Sequence, residues 1–441
     1  MKISVKHMDY EKAMARPRPE HKNPKKCNLF WRSLIQGLTW VGMAGTKFEY
    51  ETERMELLGK DEPCLILMNH SCFLDMQIAH RILYPRHFSI IATSDSFVGL
   101  GGLMNWVMRQ IGCFPTQKFV TDLRLIGDMQ YCFKELKTSV LMYPEASYSF
   151  DGTATTLPES LGYCLKKLGV PVAMIRTYGA FSRDPLYNGL QKRKVPVSAD
   201  VIYLLSPAQI AAMRPAELNE KLKEAFSFDS FRWQQENGIK IDEPFRADYL
   251  NRVLYKCPHC LAEDGMIGRG TSLHCSVCGK SWTLTEDGFM KGEDGTTEFE
   301  HIPDWFAWER DCVREELQAD TYSLDVPVDI CILKGTKKLY RVGEGRLTHS
   351  REGFVLDGCE GKLHYTQKPL ASYSLYADYY WYELGDVICI GDNDALYYCF
   401  PKTDATPVAK ARLAAEELYK LVRPVRVRRS DASETAMEKN V

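Results

Sequence analysis

What this 441-residue sequence lacks narrows its function first. It has no excess of either charge: the formal net charge is −2, so the chain as a whole has no electrostatic hold on nucleic acid, and no nucleic-acid partner is expected. It has no good spanning segment. "LFWRSLIQGLTWVGMAG" (29–45) would make a helix of about 25 Å against a hydrocarbon core of about 30 Å, and Arg32 lies inside it. The N-terminal stretch has no contiguous apolar core of the secretory-signal kind. Nor is there a short, dense cysteine framework. Fifteen cysteines are scattered over the chain, an odd number that reads as reduced thiols and a cytoplasmic location. No GxSxG context offers a serine nucleophile. "GLGG" (99–102) lacks the lysine and threonine of a phosphate loop and reads as a turn.

What is present is an ordinary globular composition, 45% hydrophobic and 26% charged, at a length that suits two or three domains. Residues 1–28 carry eight Lys/Arg against Asp9, Glu11 and Glu20. This basic leader adjoins the Trp- and Leu-rich stretch, so residues 1–45 predict an amphipathic helix lying in a membrane interface, peripheral rather than spanning. Residues 46–250 alternate strand-like and helix-like segments. Strands are expected at 64–69, 87–93, 139–145, 170–179 and 195–205, and helices at 100–112 and 159–169. That alternation predicts an α/β domain with a largely parallel sheet. The texture then changes. Residues 251–295 contain two CxxC pairs, 296–325 a linker with a charged amphipathic helix, and 326–422 many short β segments closed by a helical pattern at 407–422. A small barrel of the pleckstrin-homology or GRAM type is expected there. The tail, 423–441, with Arg423, Arg426, Arg428 and Arg429, is expected to be disordered.

The chemistry concentrates in "LILMNHSCFLDMQIAH" (65–80). His70 and Asp75 are five apart, about 140° around an ideal helix, so they do not meet on one. They meet if His70 stands on the turn after the strand, Ser71 caps the helix, and Asp75 projects from its first turns. A carboxylate on one imidazole nitrogen fixes the tautomer and makes the other a better base. The natural client of that base is a hydroxyl. With no serine nucleophile alongside, the hydroxyl belongs to a substrate, and an acyl group would pass to it directly from a thioester.

Three further segments follow at regular intervals: "IGCFPTQK" (111–118), "YPEASYSFDGT" (143–153) and "LGVPVAMI" (168–175). Together with "NHSCFLD" they resemble, in order, spacing and strand–helix context, the four motif blocks of the glycerolipid acyltransferase family, which includes the lysophosphatidic acid acyltransferases. The resemblance covers roughly residues 30–225. The first block is complete. The second keeps Gly112 and has Lys118 at its basic position. The third, usually Phe-Pro-Glu-Gly-Thr-Arg-Ser, reads "YPEASYS": Pro144, Glu145 and Ser149 are kept, while Ala146, Ser147 and Tyr148 replace Gly, Thr and Arg. The fourth keeps Pro171. The resemblance implies that His70 is the general base, Asp75 its orienting partner, and Lys118 the ligand of an anionic head group. Glu145, Ser147 and Tyr148 would shape the acceptor site. It further implies a donor of acyl-CoA or acyl carrier protein and a lysophospholipid acceptor such as 1-acylglycerol-3-phosphate. Tyr148 weakens the last point, because a phenol does not reproduce the planar fork of arginine. The alternative is a non-enzymatic membrane adaptor built on a decayed acyltransferase domain.

Cys257 and Cys260, then Cys275 and Cys278, form C-x2-C-x14-C-x2-C. Four thiolates in two tight pairs predict a closed, structural zinc site. His259 and His274 lie beside it but are not needed to complete it.

Overall fold

The computed structural model describes residues 3, 5–98, 102–120, 122–336, 338–403 and 407–423. Most of the "GLGG" turn (99–101) and the tail beyond Arg423 lie outside the described residues.

The α/β part is organised by a seven-stranded sheet. Its order is Phe48–Glu53, Val197–Leu205, Val172–Tyr178, Leu65–Met68, Ser139–Met142, Phe88–Thr93, Cys113–Thr116. All four residues of Leu65–Met68 and of Ser139–Met142 are buried, as expected of strands covered on both faces. Successive side chains alternate between two cores. Ile66 and Met68 pack with Cys72, Leu74 and Ile78, while Leu65 and Leu67 pack with Phe114, Met129 and Leu161. The sheet is mixed: Val172–Tyr178 and Val197–Leu205 are antiparallel, and the other described pairs are parallel. The chain between these two carries only the four-residue helix Ala180–Arg183 and a short turn, not the long crossover helix that parallel return requires. Element ends also differ from the sequence expectation. The strand before His70 stops at Met68, the "SVLMYPE" strand stops at Met142, and the helix over 100–112 spans Leu103–Gln110.

Residues 266–292 form a four-stranded antiparallel sheet beside the cysteines. The helix Ile302–Gln318 then leads into a seven-stranded antiparallel sheet. Its order is Leu363–Gln367, Gly353–Gly358, Leu339–Ser350, Leu324–Leu333, Leu396–Pro401, Gly385–Gly391, Tyr376–Trp381. The N-terminal strand Val5–His7 adds to it, parallel to Leu339–Arg341. Leu339–Ser350 pairs with Gly353–Gly358 only from Gly345 onward, so its first residues present open backbone groups that the leader satisfies. The basic leader is therefore partly built into the C-terminal sheet. The C-terminal helix Pro407–Val422 packs on helix Ile302–Gln318, where Arg310 bonds Glu416 (2.7 Å) and Glu417 (3.1 Å). One continuous apolar core runs from Leu250 and Trp282 through Trp305 to Ile330 and Leu413.

Candidate active site

The strand Leu65–Met68 delivers Asn69 into the protein interior. Its side-chain carbonyl accepts from the Thr177 backbone N–H (2.8 Å) and hydroxyl (3.2 Å), tying the end of one strand to its neighbour. His70 follows. Asp75 opens the helix Asp75–Leu83, and its Oδ2 accepts from the backbone N–H groups of Ser71 (2.7 Å) and Cys72 (3.1 Å). The same oxygen meets His70 Nδ1 at 2.9 Å. The turn thus differs from the expected one: Asp75, not Ser71, satisfies it, and the Ser71 hydroxyl instead accepts from the Asn69 side-chain amide (3.2 Å). A carboxylate that only accepts assigns the proton to Nδ1 and leaves the Nε2 lone pair free. His70 lines a cavity of about 1720 Å³.

The third motif block forms the loop around that imidazole. Tyr143 stacks on one side (centroids 4.2 Å apart, 27°), and Tyr148 lies against the ring at 4.0 Å and 31°. Ala146 adopts φ +54° between them, which accounts for the glycine usual at that position. Glu145 is buried. Its carboxyl accepts from the backbone N–H of His70 (2.7 Å) and from the N–H (2.8 Å) and hydroxyl (3.1 Å) of Thr155. It is a brace between the two loops, and burial pushes it up to about 7 against those three donors. Ser147 is buried away from the cavity, its hydroxyl 3.2 Å from Arg412 Nη1. Burial also lowers the His70 imidazole below its ordinary value, with Asp75 opposing the shift and Lys118 adding to it.

Lys118 lies beyond the strand Cys113–Thr116, on the cavity wall. Its ammonium is 4.0 Å from the centre of the Tyr376 ring and 5.9 Å from that of Tyr148, and burial lowers its pKa against the pull of Asp95 and Asp378. Nearby, Asp95 accepts from the Tyr376 hydroxyl (2.6 Å) and Trp381 Nε1 (3.2 Å). Asp378 is pushed up to about 7 by burial, opposed by Lys118. Tyr376, Asp378 and Trp381 lie on one strand of the C-terminal sheet. They stand more than 250 residues from Lys118 and follow no motif. Nothing in the sequence pointed to them, although they wall the same cavity. The rest of the lining is largely apolar and includes Ile90, Met104, Met108, Leu125 and Leu161. The volume exceeds the roughly 300–1,000 Å³ of a single small-molecule site, which leaves room for two substrates.

The four cysteines converge. Their sulfurs all lie within 4.8 Å of one another, with Cys257 to Cys278 at 3.8 Å and Cys260 to Cys275 at 3.7 Å. A tetrahedron with metal–sulfur bonds of about 2.3 Å has edges of about 3.8 Å, the spacing of these two pairs, so the four sulfurs are close enough to hold a metal ion. His274 is engaged with the Ser281 hydroxyl (2.8 Å) and His259 with Glu298 (3.4 Å).

Among known proteins, residues 49–176 match the family model described as Acyltransferase. A solved structure that resembles the chain is that of the 1-acyl-sn-glycerophosphate (LPA) acyltransferase PlsC from Thermotoga maritima. It is 16% identical, covers 44% of this chain and 76% of its own, and has a TM-score of 0.34. No curated protein matches the chain. The segment holding His70, Asp75, Lys118, Glu145 and Tyr148 is thus similar to the acyltransferase family.

Proposed function

We propose that this protein moves a fatty acyl chain from acyl-CoA or acyl carrier protein to the free hydroxyl of a lysophospholipid, with 1-acylglycerol-3-phosphate as the first acceptor to test. One observation carries the reading: His70, oriented by Asp75 and with Nε2 left without a hydrogen bond to any described residue, lies in the segment that matches the acyltransferase model and lines a large, mostly apolar cavity. His70 Nε2 removes the acceptor hydroxyl proton as the oxygen attacks the thioester carbonyl. The tetrahedral intermediate expels the thiolate, which takes the proton back from the imidazolium, leaving ester and free thiol. Asp75 holds the ring and stabilises its charged form during the step. Lys118 makes no hydrogen bond or ion pair with any described residue and faces the anionic part of the acceptor. With Asp378 close to its midpoint at neutral pH, less negative charge opposes that anion.

The protein works as a peripheral enzyme on the cytoplasmic face of a membrane. No described helix is long and apolar enough to cross one. Instead the helix Leu29–Gly42 exposes Leu38, Trp40 and Val41, and its Trp31 packs edge-on against the exposed Trp106 (5.5 Å); Phe73 and Leu103 are exposed as well. Gly42, Phe73 and Met104 belong to the cavity wall as well, so the apolar surface and the cavity are continuous. Cys257, Cys260, Cys275 and Cys278 hold a structural zinc ion, which supplies folding energy and no step of the reaction. The C-terminal strands, two meanders joined through Leu324–Leu333 and Leu396–Pro401 and followed by one helix, are read as a PH/GRAM-like domain. Purified protein, labelled acyl donors and a panel of lysolipids test the assignment. A single acylated acceptor, lost in His70→Ala, supports it. Membrane binding without His70-dependent transfer to any acceptor would favour the adaptor alternative.

A further inference from the structure

The segment that matches the acyltransferase model ends at residue 176, but the site does not. Arg412, on the C-terminal helix, is buried and reaches into the third-block loop. Its Nη1 donates to Tyr148 O (3.1 Å) and Ser147 Oγ (3.2 Å), and its guanidinium lies 4.5 Å from the centre of the Phe150 ring. Its Nε donates to Glu416 (3.3 Å), which fixes the fork on its own helix. One residue further along the loop, the Ser149 N–H donates to His70 O (3.2 Å), so the loop is also tied to the turn that carries the base. A rigid guanidinium in the C-terminal domain therefore grips the backbone of the residue whose ring covers His70.

We propose that Arg412 is a positioning residue for acyl transfer. It clamps the Tyr148 carbonyl and the Ser147 hydroxyl so that the Tyr148 ring stays on His70, and it makes the C-terminal domain part of the catalytic unit. The third block has Tyr148 where the family pattern has arginine. Here the chain supplies a guanidinium to that loop from elsewhere, and it acts on the loop rather than on the substrate. The groups facing His70 are Asp75 on its Nδ1, Glu145 on its backbone N–H, Lys118 through the cavity, and the rings of Tyr143 and Tyr148. Of these, Tyr148 is the one whose place Arg412 fixes. Releasing it lets water reach the imidazole, relieves the burial that depresses its pKa, and loosens the geometry of proton transfer. The helix keeps its seat without Arg412, because Glu416 retains Arg310 (2.7 Å) and the Ser374 hydroxyl (2.7 Å).

The inference rests on the acyl-transfer reading for its kinetic arm only. In full-length protein, the His70 ring is titrated by NMR in the wild type, Arg412→Ala and Arg412→Lys. kcat/KM for transfer is then measured for these, for Tyr148→Ala and for the double variant. We expect the His70 midpoint to rise in Arg412→Ala and to recover partly in Arg412→Lys. We also expect a loss of about tenfold or more in kcat/KM, mainly in kcat, with the double variant no worse than Tyr148→Ala alone. Should Arg412→Ala not fold, Arg412→Lys carries the titration test, since it keeps the charge facing Glu416 and loses the fork. A His70 titration unmoved by either substitution overturns the proposal, and so do fully additive losses in the double variant. Absence of any His70-dependent transfer in the wild type overturns the assigned activity, and the titration still decides the role of Arg412.

Discussion

The Tyr148 ring lies against the His70 imidazole, centroids 4.0 Å apart, at the position where the family pattern places an arginine. A guanidinium there would bring charge to the site; a phenol ring covers the imidazole. With Tyr143 on another side, the imidazole is largely covered, its side chain 17% exposed.

His70→Ala should lower acyl transfer by roughly 10²–10⁴-fold while the protein stays folded. Asp75→Asn should be nearly as damaging, because it offers Nδ1 a group that no longer fixes the tautomer. A general base must be neutral, and burial lowers the pKa of His70 from 6.5. On the acid side, activity should therefore fall with a midpoint below 6.5. A pH profile of kcat/KM with its acid limb above 6.5, or a folded His70→Ala variant within a few-fold of wild type, would remove His70 from the role of base.

Asp378→Asn should stabilise the protein in a pH-dependent way. Burial raises the folded-state pKa of Asp378 from 3.8 to about 7. Between those values the folded state holds a proton that the unfolded state has released. Stability linked to this carboxyl is thus present at low pH and is lost as pH rises toward 7, by at most about 1.4 kcal/mol per pH unit. The melting temperature of Asp378→Asn minus that of wild type should widen from pH 4 to pH 7 and then level off. A gap that stays constant across this range would show that Asp378 is ionised throughout.

Ala146→Gly should be tolerated or stabilising. A left-handed conformation costs a residue with a Cβ about 1–2 kcal/mol, and glycine gives back about 0.4–1 kcal/mol through the freedom of the unfolded chain. The net expectation is a gain of about 0 to 1.6 kcal/mol in paired denaturation curves, with His70-dependent activity retained. A clear loss of stability would mean that the Ala146 methyl group contributes packing worth more than the strain.

One zinc ion per chain should co-purify, as measured by elemental analysis of untagged protein prepared without chelators. Cys257→Ser or chelation should destabilise the 251–295 segment and, through the core it shares with Trp282 and Trp305, the C-terminal sheet as well. Protein that contains no metal yet melts like the chelator-treated sample would sink the assignment.

Binding to anionic liposomes should weaken with salt but not vanish. Basic residues near the surface contribute about 1 kcal/mol each and are screened, whereas inserted apolar side chains are not. Deleting residues 1–45 is a poor test, because it strips the Val5–His7 strand from the C-terminal sheet. Serine at Leu38, Trp40 and Val41 together changes only exposed side chains, at 61%, 61% and 74%. That triple variant should lose the salt-resistant part of binding. If it co-sediments like wild type at high salt, the membrane contact lies elsewhere.

The local order of the chain was legible in the sequence by itself. The continuous apolar run before His70 marks a strand covered on both faces, and the cysteine spacing marks four sulfurs that close on one point. The five-residue interval between His70 and Asp75 implies a turn rather than a helix between them. Each of these is settled by neighbours a few residues apart, through backbone geometry and the burial of alternate side chains. The tertiary structure alone decided the rest. Val197–Leu205 runs antiparallel to its neighbour because the connection before it is too short in helix to cross over. The leader is held because a C-terminal strand leaves open backbone groups at one end. The Lys118 ammonium lies over the Tyr376 ring, and Tyr148 is gripped by Arg412, across separations of more than 250 residues. No periodicity or motif spacing encodes such contacts. They follow from how two sheets and a terminal helix pack around one cavity, which brings polar groups from distant parts of the chain to the same buried loops.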